Sequence, residues 1–447
     1  MIGLEFLVVL GCLILGTRYG GMGLGLISGI GLFILTFGFN LQPGQPPVDV
    51  MLTILAVIAC ASVLQTAGGL NVMMKVAERI LRRHPSYITI LAPITTWTLT
   101  FLCGTGHVVY TMFPIIYDIA VKKGIRPERP MAVASVASQM GIGASPVSVS
   151  VVSMASILAQ SHGVGSAIGL LDLLSVSIPS TLLGVVVAAL WSMKRGKDLD
   201  KDEEFQAKIQ DPEQKEYIYG TSDTLLDKVF PKESYWATWI FFAAIGVVVL
   251  FGAFPNLLPS FGPVGKLKPL SMNLVIQMLM LIAGAIILIV CKVNQREISN
   301  GPVFKAGMVA IVSVFGVAWM SETFFHAHFA LLKSTLAGVV ASQPWMYAVV
   351  LFLVSKLVNS QGAAVAAIAP LGLSLGVDPK MMVAFFSASY GYFVLPTYPS
   401  DLACIGFDRS GTTRIGKFII NHSFIAPGLI GVGVGCLTGY FLVKILM

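Results

Sequence analysis

The sequence predicts an all-α polytopic membrane protein made of two repeats. Of its 447 residues, 55% are hydrophobic and only 11% are charged, which is not the composition of a soluble domain. Apolar runs such as 168–193 and 429–447 approach or exceed the ~20 helical residues that cross ~30 Å of hydrocarbon. Because these runs are long and continuous, they exclude a transmembrane barrel of short alternating segments.

The repeats are indicated by polar, helix-breaking interruptions that occur twice in each half. Eight positions separate Gly106 from Pro114, and the same eight separate Gly362 from Pro370. A second pattern consists of identical residue types that lie 250 positions apart. The pairs are Met131 and Met381, Val133 and Val383, Gly141 and Gly391, Pro146 and Pro396, and Ser150 and Ser400. We therefore predict that each repeat contains a re-entrant hairpin followed by a broken transmembrane helix.

The domain organisation follows from these positions. The first membrane half spans 1–193, a polar cytoplasmic linker spans 194–234, and the second membrane half spans 235–447. The first half has spans at 2–16, 22–39 and 48–67, a hairpin at about 86–121, a broken helix at about 130–160 and a last helix that ends at Trp191. The second half has spans near 236–253, 271–292 and 303–320, a polar stretch with Glu322, His326 and His328, a hairpin at 345–377, a broken helix at 380–408 and a last helix near 424–445. The mixed charge of the linker predicts a solvated segment with one short helix.

Charge indicates that the two repeats are inverted. The loops that flank the first hairpin are rich in Lys and Arg, whereas the matching loops of the second carry only Lys333 and Lys380. After the broken helices the bias reverses, since 159–166 has no Lys or Arg and 409–417 has three. Opposite biases at matching positions predict opposite orientations, with the basic loops and the linker in the cytoplasm.

Composition and motifs also limit the function classes. The net charge is +7, but the basic residues lie in short loops between apolar segments, as in membrane proteins. Nucleic acid is therefore not an expected partner. The six cysteines lack the paired spacing of metal ligands and are expected to be buried thiols. His326 and His328 lack a third ligand, so no metal and no cofactor is expected.

The interruptions predict a binding site for a small anion. A helix that ends inside the membrane leaves free N–H groups and a partial positive charge at its N-terminus. One such break alone is typical of a plain kink, but four breaks in two matched pairs favour a shared site. The polar candidates for substrate contact are Thr105, Gly106, His107, Ser145, Ser148, Asn359, Ser360, Gln361, Thr397 and Ser400.

Charged residues in apolar sequence are further candidates. Lys356 lies three residues before the second interruption, and Asp401 ends the second broken segment, so both are assigned to the substrate site. Snorkelling to the interface is the alternative for Lys356, and simple packing is the alternative for His107. Glu78, Arg82 and Arg126 are grouped as gating or transport-critical charges. The Glu78–Arg82 pair, four residues apart on one helix face, is either a solvated surface pair or part of the cytoplasmic entrance.

Over nearly its whole length the sequence resembles the anaerobic C4-dicarboxylate antiporter (Dcu) family. The strings that carry the resemblance are QPGQPPVDVML at 42–52, CGTGHVVYT at 103–111, GIRPERPMA at 124–132, RGKDLDKDEEF at 195–205 and LPTYPSDLA at 395–403. The resemblance implies the ion-transporter superfamily fold and a dicarboxylate site formed by hairpin tips and broken helices. Members of that superfamily often carry Ser-Asn-Thr at their tips, which this chain lacks, so the associated cation sites are not implied.

The resemblance also implies a function. It predicts a carrier of the bacterial inner membrane that exchanges external fumarate, malate or aspartate for internal succinate. We expect an elevator-like alternating-access mechanism in which the hairpins and broken helices move against a scaffold of all remaining helices. A homodimer and a membrane sensor kinase are the candidate protein partners. The alternatives are a proton- or sodium-coupled uptake symporter, a membrane co-sensor, a channel and an intramembrane enzyme; the last is disfavoured because no Ser–His or Asp–Asp arrangement stands out.

Overall fold

The chain folds into a helical membrane protein. The computed structural model describes residues 2–19, 22–46, 48–159, 168–220, 224–261, 268–328, 343, 345–395, 398–416 and 421–447. Within these ranges the only sheet is one antiparallel pair of two-residue strands, β1 (Ser260–Phe261) and β2 (Lys268–Pro269). Six helices in the described ranges are long and apolar enough to cross a membrane, or seven if the bent pair Met51–Thr66 and Gly69–Arg83 counts as one span. The all-α polytopic prediction is thus confirmed.

The first part of the chain supplies eleven of the described helices. They are α1 (Ile2–Tyr19), α2 (Gly23–Phe33), α3 (Val48–Thr66), α4 (Gly69–Arg83), α5 (Ile88–Cys103), α6 (Val109–Lys122), α7 (Glu128–Met140), α8 (Val149–Ala159), α9 (Leu170–Ser192), α10 (Glu203–Lys208) and α11 (Pro212–Tyr219). Helices α5 and α6 form hairpin 1, and α7 and α8 form broken helix 1, which is interrupted between Met140 and Val149.

The second part adds nine described helices. They are α12 (Lys232–Ala253), α13 (Met272–Val290), α14 (Gln295–Ile298), α15 (Pro302–Ala327), α16 (Trp345–Val358), α17 (Gln361–Ser374), α18 (Pro379–Ala384), α19 (Pro399–Phe407) and α20 (Ile425–Leu446). Helices α16 and α17 form hairpin 2, and α18 and α19 form broken helix 2.

Two packing groups are visible. The frame consists of α1, α2, α3, α12, α13 and α15, whose helices pack mainly on one another. The central bundle holds both hairpins, both broken helices, and also α9 and α20, which pack tightly together and against α5, α7 and α18. The sequence analysis assigned the last helix of each half, α9 and α20, to the scaffold. In the structure, these two helices pack within the central bundle. Glycine permits the contact, because a Cβ on Gly184 of α9 would lie 2.3 Å from the carbonyl oxygen of Gly431 in α20.

Two local expectations are corrected. Helix α15 continues to Ala327, so Glu322 and His326 belong to this helix rather than to a separate polar stretch after a span that ends near 320. In broken helix 2 the regular helix ends at Ala384, earlier than the predicted break at Gly391. The backbone there runs through two short 3₁₀ turns, and a Cβ on Gly391 would lie 2.2 Å from the carbonyl oxygen of Phe352, so this segment lies directly against hairpin 2.

The linker is docked on the central bundle rather than freely solvated. It contains two short helices, and its apolar side chains Leu199, Phe205 and Ile218 are buried. These three side chains give the linker an apolar contact surface that its charged overall composition did not indicate. The Tyr117 hydroxyl of hairpin 1 donates to the Ile218 carbonyl at 3.1 Å, and Arg409 donates to the Gly220 carbonyl at 2.8 Å. The exposed Glu204 also pairs with Arg414, and this guanidinium lowers the pKa of the Glu204 carboxyl.

Candidate binding site

The tip of hairpin 1 is shaped by glycine and threonine. Gly104 has φ 70°, in the left-handed region that favours glycine, and it ends α5. Thr105 is extended, and the chain then turns through residues 106–108 into α6. A Cβ on Gly104 would lie 2.6 Å from the carbonyl oxygen of Val147, so the tip rests directly on the break of broken helix 1.

The tip of hairpin 2 uses asparagine for the same turn. Asn359 has φ 48°, a conformation that asparagine tolerates better than most residues. Ser360 is extended and caps α17, because its hydroxyl accepts the Ala363 N–H at 3.3 Å. A Cβ on Gly362 would lie 2.5 Å from Cγ1 of Val149, so this tip also rests on broken helix 1.

The N-terminus of α8 reaches the same place. Ser148 caps this helix by accepting the Val151 N–H at 3.3 Å, while the buried Ser145 hydroxyl accepts the Val147 N–H at 3.4 Å. The helix starts at 149 and 361 therefore lie against each other beside the tip of hairpin 1. Their free N–H groups create a local preference for negative charge.

A cavity of about 150 Å³ lies among these helix ends. We call it the central cavity. Seven sequence-predicted residues line it: Thr105, Gly106, His107, Ser148, Asn359, Ser360 and Gln361. Ser150, Tyr392 and Tyr398 add polar groups, and the frame contributes an aliphatic wall from α3 and α15 that includes Ile54, Val57 and Val303. In the described part of the chain, no Asp, Glu, Lys or Arg side chain lines this cavity.

The remaining candidates lie elsewhere. Lys356 stands behind the tip of hairpin 2, where its Nζ donates to Oδ1 of Asn359 at 3.1 Å and to the Tyr392 and Leu395 carbonyls at 3.4 Å each. Ser145 is buried outside the cavity lining. Thr397 lies outside the described residues. The structure thus connects Lys356 to the cavity wall through Asn359.

Ser400 and Asp401 form a separate buried cluster with broken helix 1. The Ser135 hydroxyl donates to Oδ1 of Asp401 at 2.7 Å and lies 3.2 Å from the Ser400 hydroxyl. Asp401 is 1% exposed, and its other carboxyl oxygen, Oδ2, has no hydrogen-bond partner among the described residues. These hydrogen bonds join broken helix 1 to broken helix 2 through a buried carboxyl.

Sequence reasoning missed Gln139 and Tyr392. The Tyr392 hydroxyl donates to Oε1 of Gln139 at 2.6 Å, and Nε2 of Gln361 donates to the Gln139 carbonyl at 2.6 Å. A polar side chain two residues before the Gly141 break was the available signal for Gln139. Tyr392 directly follows Gly391, but nothing in its spacing indicates that its hydroxyl turns inward.

A larger space connects the central cavity to the linker side. A cavity of about 620 Å³ shares Thr105, His107 and Val303 with the central cavity. A third cavity of about 480 Å³ shares Asn71, Met74 and Thr111 with the second and is lined by Tyr217 and Leu225 of the linker. Thr105 and His107 therefore stand where the central cavity meets the route toward the linker.

The Glu78–Arg82 pair forms, but it is not a solvated surface pair. Glu78 is 0% exposed, and it accepts hydrogen bonds from Arg82 Nε at 2.7 Å, from the Thr224 hydroxyl at 2.7 Å and from the Leu225 N–H at 2.8 Å. Arg82 also donates to Asp118 of hairpin 1 at 2.9 Å. Neither Glu78 nor Arg82 lines the three cavities just described. The pair instead ties α4, hairpin 1 and the end of the linker together.

Arg126 belongs to a second ionic cluster on the linker side. It pairs with Glu128 at 2.8 Å and with Asp202 of the linker at 2.5 Å. Glu128 in turn pairs with Arg195 at 3.0 Å and accepts the Ser423 hydroxyl at 2.7 Å. The cluster joins the start of broken helix 1 to the linker and to the segment that follows broken helix 2.

These features define the class of the protein: a multi-pass α-helical membrane protein with two interrupted hairpin and helix pairs around a buried polar cavity. The fold is similar to two solved structures. The Neisseria gonorrhoeae MtrF efflux pump matches with a TM-score of 0.55 at 15% identity, covering 94% of this chain and 85% of that one. The Alcanivorax borkumensis YdaH transporter matches with a TM-score of 0.54 at 16% identity, covering 92% and 89%.

The chain belongs to the DcuA/DcuB family of anaerobic C4-dicarboxylate membrane transporters, whose sequence profile matches residues 1–447. It is 58% identical over 437 residues to the anaerobic C4-dicarboxylate transporter DcuB of Escherichia coli O6:H1, covering 98% of this chain and 97% of that protein. It is 38% identical over 445 residues to the C4-dicarboxylate transporter DcuA of Escherichia coli K12, covering 99% of each. The protein is therefore a multi-pass inner-membrane transporter and not an enzyme.

Proposed function

We propose that the protein exchanges C4-dicarboxylates across the bacterial inner membrane, taking up fumarate, malate or aspartate and releasing succinate. The observation that carries the proposal is the central cavity, where two helix N-termini and neutral hydrogen-bond donors meet and the described residues of the wall carry no fixed charge. Two carboxylates can be received by separate helix ends, and no buried cation has to be desolvated in the empty site. The family and the named relatives support the same substrate class.

The polar residues of the cavity have distinct roles in this proposal. Ser148 and Ser360 lie at the helix starts that attract a carboxylate. Asn359 donates its amide N–H groups to the substrate, while Lys356 binds the amide oxygen of Asn359. Thr105 and His107 occupy the neck through which the substrate leaves toward the linker side. Tyr398 offers a flat aromatic surface to the carbon chain.

Alternating access is proposed to occur by movement of the central bundle against the frame. The central cavity lies at the boundary of these two groups, since α3 and α15 provide one wall and the tips provide the other. The aliphatic side chains of that frame wall form few directional contacts and so offer little resistance to sliding. The halves 1–193 and 235–447 are proposed to be inverted repeats that each give one hairpin and one broken helix to the moving bundle.

The function is tested by counter-flow in proteoliposomes. Liposomes loaded with succinate are expected to accumulate radiolabelled fumarate, whereas empty liposomes are not, because an exchanger returns only when loaded. Malate, aspartate and a monocarboxylate are the competitors that define the substrate class. Conductance without a counter-substrate would identify a channel instead, and chemically altered dicarboxylate would identify an enzyme.

A coupled uptake symporter is the second candidate, and the buried carboxyl of Asp401 favours it. Among the described residues its Oδ2 has no hydrogen-bond partner, and an ionisable group inside a membrane is a candidate for proton or cation binding. In that case, fumarate enters empty liposomes when a proton or sodium gradient is applied. Absence of gradient-driven uptake, together with robust counter-flow, excludes this candidate.

The inverted arrangement predicts opposite sidedness of two exposed lysines. Lys123 follows hairpin 1 and Lys380 follows hairpin 2, so single cysteines at these positions are expected to react with a membrane-impermeant maleimide from opposite sides. Five of the six native cysteines are buried, which keeps the background low once the partly exposed Cys436 is replaced. Labelling of both positions from the same side would contradict the inversion.

A further inference from the structure

All four interruptions meet at the side chain and backbone of Gln139, the next-to-last residue of α7. Its Oε1 accepts the Tyr392 hydroxyl of broken helix 2 at 2.6 Å, and its carbonyl accepts Nε2 of Gln361 in hairpin 2 at 2.6 Å. Hairpin 1 lies against its amide, because a Cβ on Gly106 would be 2.5 Å from Nε2 of Gln139. Gln139, Gln361 and Tyr392 are 2%, 4% and 2% exposed. One buried glutamine of broken helix 1 thus touches the other three interruptions.

This cluster determines how Gln361 faces the central cavity. Gln361 and Tyr392 line the cavity, whereas Gln139 does not. Hydrogen bonds fix both ends of the Gln361 amide. Its Nε2 donates to the Gln139 carbonyl and lies 3.4 Å from the Tyr392 hydroxyl. Its Oε1 accepts the Ser389 hydroxyl at 3.3 Å. An amide that is fixed before the ligand arrives loses little rotamer freedom on binding.

We propose that Gln139 is the positioning residue of the anion site, which fixes Gln361 and Tyr392 relative to both hairpin tips. The role rests on the proposed function, since the site it shapes is that of the transported dicarboxylate. Hairpin 2 then does not open as a separate gate, because its tip is bonded to both broken helices. The four interruptions move together, and the cavity keeps its shape while the bundle moves against the frame.

The test is a double-mutant cycle of Gln139→Met and Tyr392→Phe, measured as KM and maximal rate of fumarate–succinate exchange. Either change leaves a buried polar group without its partner, so we expect each to raise KM about tenfold, which corresponds to 1.4 kcal/mol. Because both remove the same hydrogen bond, the double variant is expected to stay near tenfold. The matched control is Gln277→Met on α13 of the frame, whose Nε2 donates to Thr53 at 2.8 Å; its KM is expected to match the wild type.

The outcomes separate this proposal from the function itself. A double variant about a hundredfold weaker, as independent effects would multiply, overturns the shared hydrogen bond as the cause. An unchanged KM with a reduced maximal rate in Gln139→Met shows a purely structural role and also overturns it. If Gln139→Met does not fold, Tyr392→Phe alone decides, because it keeps the ring, and an unchanged KM rejects the proposal. Failure of the wild type to exchange dicarboxylates would instead refute the proposed function.

Discussion

Replacing Arg82 with alanine is expected to destabilise the protein by about 3 kcal/mol, because it removes the shared partner of two buried carboxylates. Glu78 is 0% exposed and Asp118 is 4% exposed, and the guanidinium of Arg82 bonds both. Breaking a buried pair by removing one partner leaves uncompensated charge and typically costs about 3–5 kcal/mol. The lower end applies here, since Glu78 keeps Thr224 and Leu225 and Asp118 keeps Lys122.

The measurement is the apparent melting temperature in detergent, followed by tryptophan fluorescence, together with limited proteolysis of the linker. Arg82→Ala is expected to lower the melting temperature by several degrees and to expose the linker, because α4, hairpin 1 and the linker end are no longer joined. Arg414→Ala is the matched control. Its guanidinium pairs with Glu204 at 3.1 Å between side chains 55% and 60% exposed, and such surface pairs contribute about 0–1 kcal/mol. Equal stability of the two variants would contradict a stabilising role of Arg82 between α4, hairpin 1 and the linker.

The sequence predicted the elements of this site better than the contacts among them. Composition and long apolar runs indicate a polytopic helical protein, and Gly104, Asn359 and Gly141 mark interruptions because such residues favour or permit a break. Helix starts within apolar sequence then indicate anion binding. Each of these inferences needs only local sequence and the energetics of the bilayer, so no knowledge of long-range packing is required.

What the sequence could not supply was the direction in which side chains point. Lys356 and Asp401 stand out as charges in apolar sequence, yet neither lines the central cavity. Gln139 and Tyr392 are inconspicuous along the chain, and their contact joins residues 253 positions apart. The linker reads as solvated because its few apolar residues are separated by charges, although Phe205 and Ile218 are buried against the bundle. Pairings at such separations depend on how the helices pack, which local patterns do not encode.

Asn359→Asp is expected to lower kcat/KM for fumarate exchange about a hundredfold, since it turns a hydrogen-bond donor of the cavity into a negative charge. An ammonium group only donates hydrogen bonds, so the oxygen of the Asn359 amide faces Lys356, and in the proposed function its N–H groups serve the substrate. An aspartate has the same shape but presents a second oxygen where those N–H groups were. Repulsion between unit charges 4 Å apart amounts to about 4 kcal/mol at an effective dielectric constant of about 20, and Lys356 offsets part of it.

The companion variant Lys356→Ala tests the same connection from the other side. Without the ammonium, the Asn359 amide is free to rotate and the charge behind the tip is lost, so exchange of fumarate for succinate in proteoliposomes is expected to disappear.

For Asn359→Asp, the control for added charge is Asn300→Asp. Asn300 is an exposed asparagine of the loop before α15, and this variant is expected to exchange at the wild-type rate. A fumarate KM for Asn359→Asp within about twofold of the wild type would place the substrate elsewhere. A dianion that contacts this tip is repelled by a new carboxylate there, and its KM must rise.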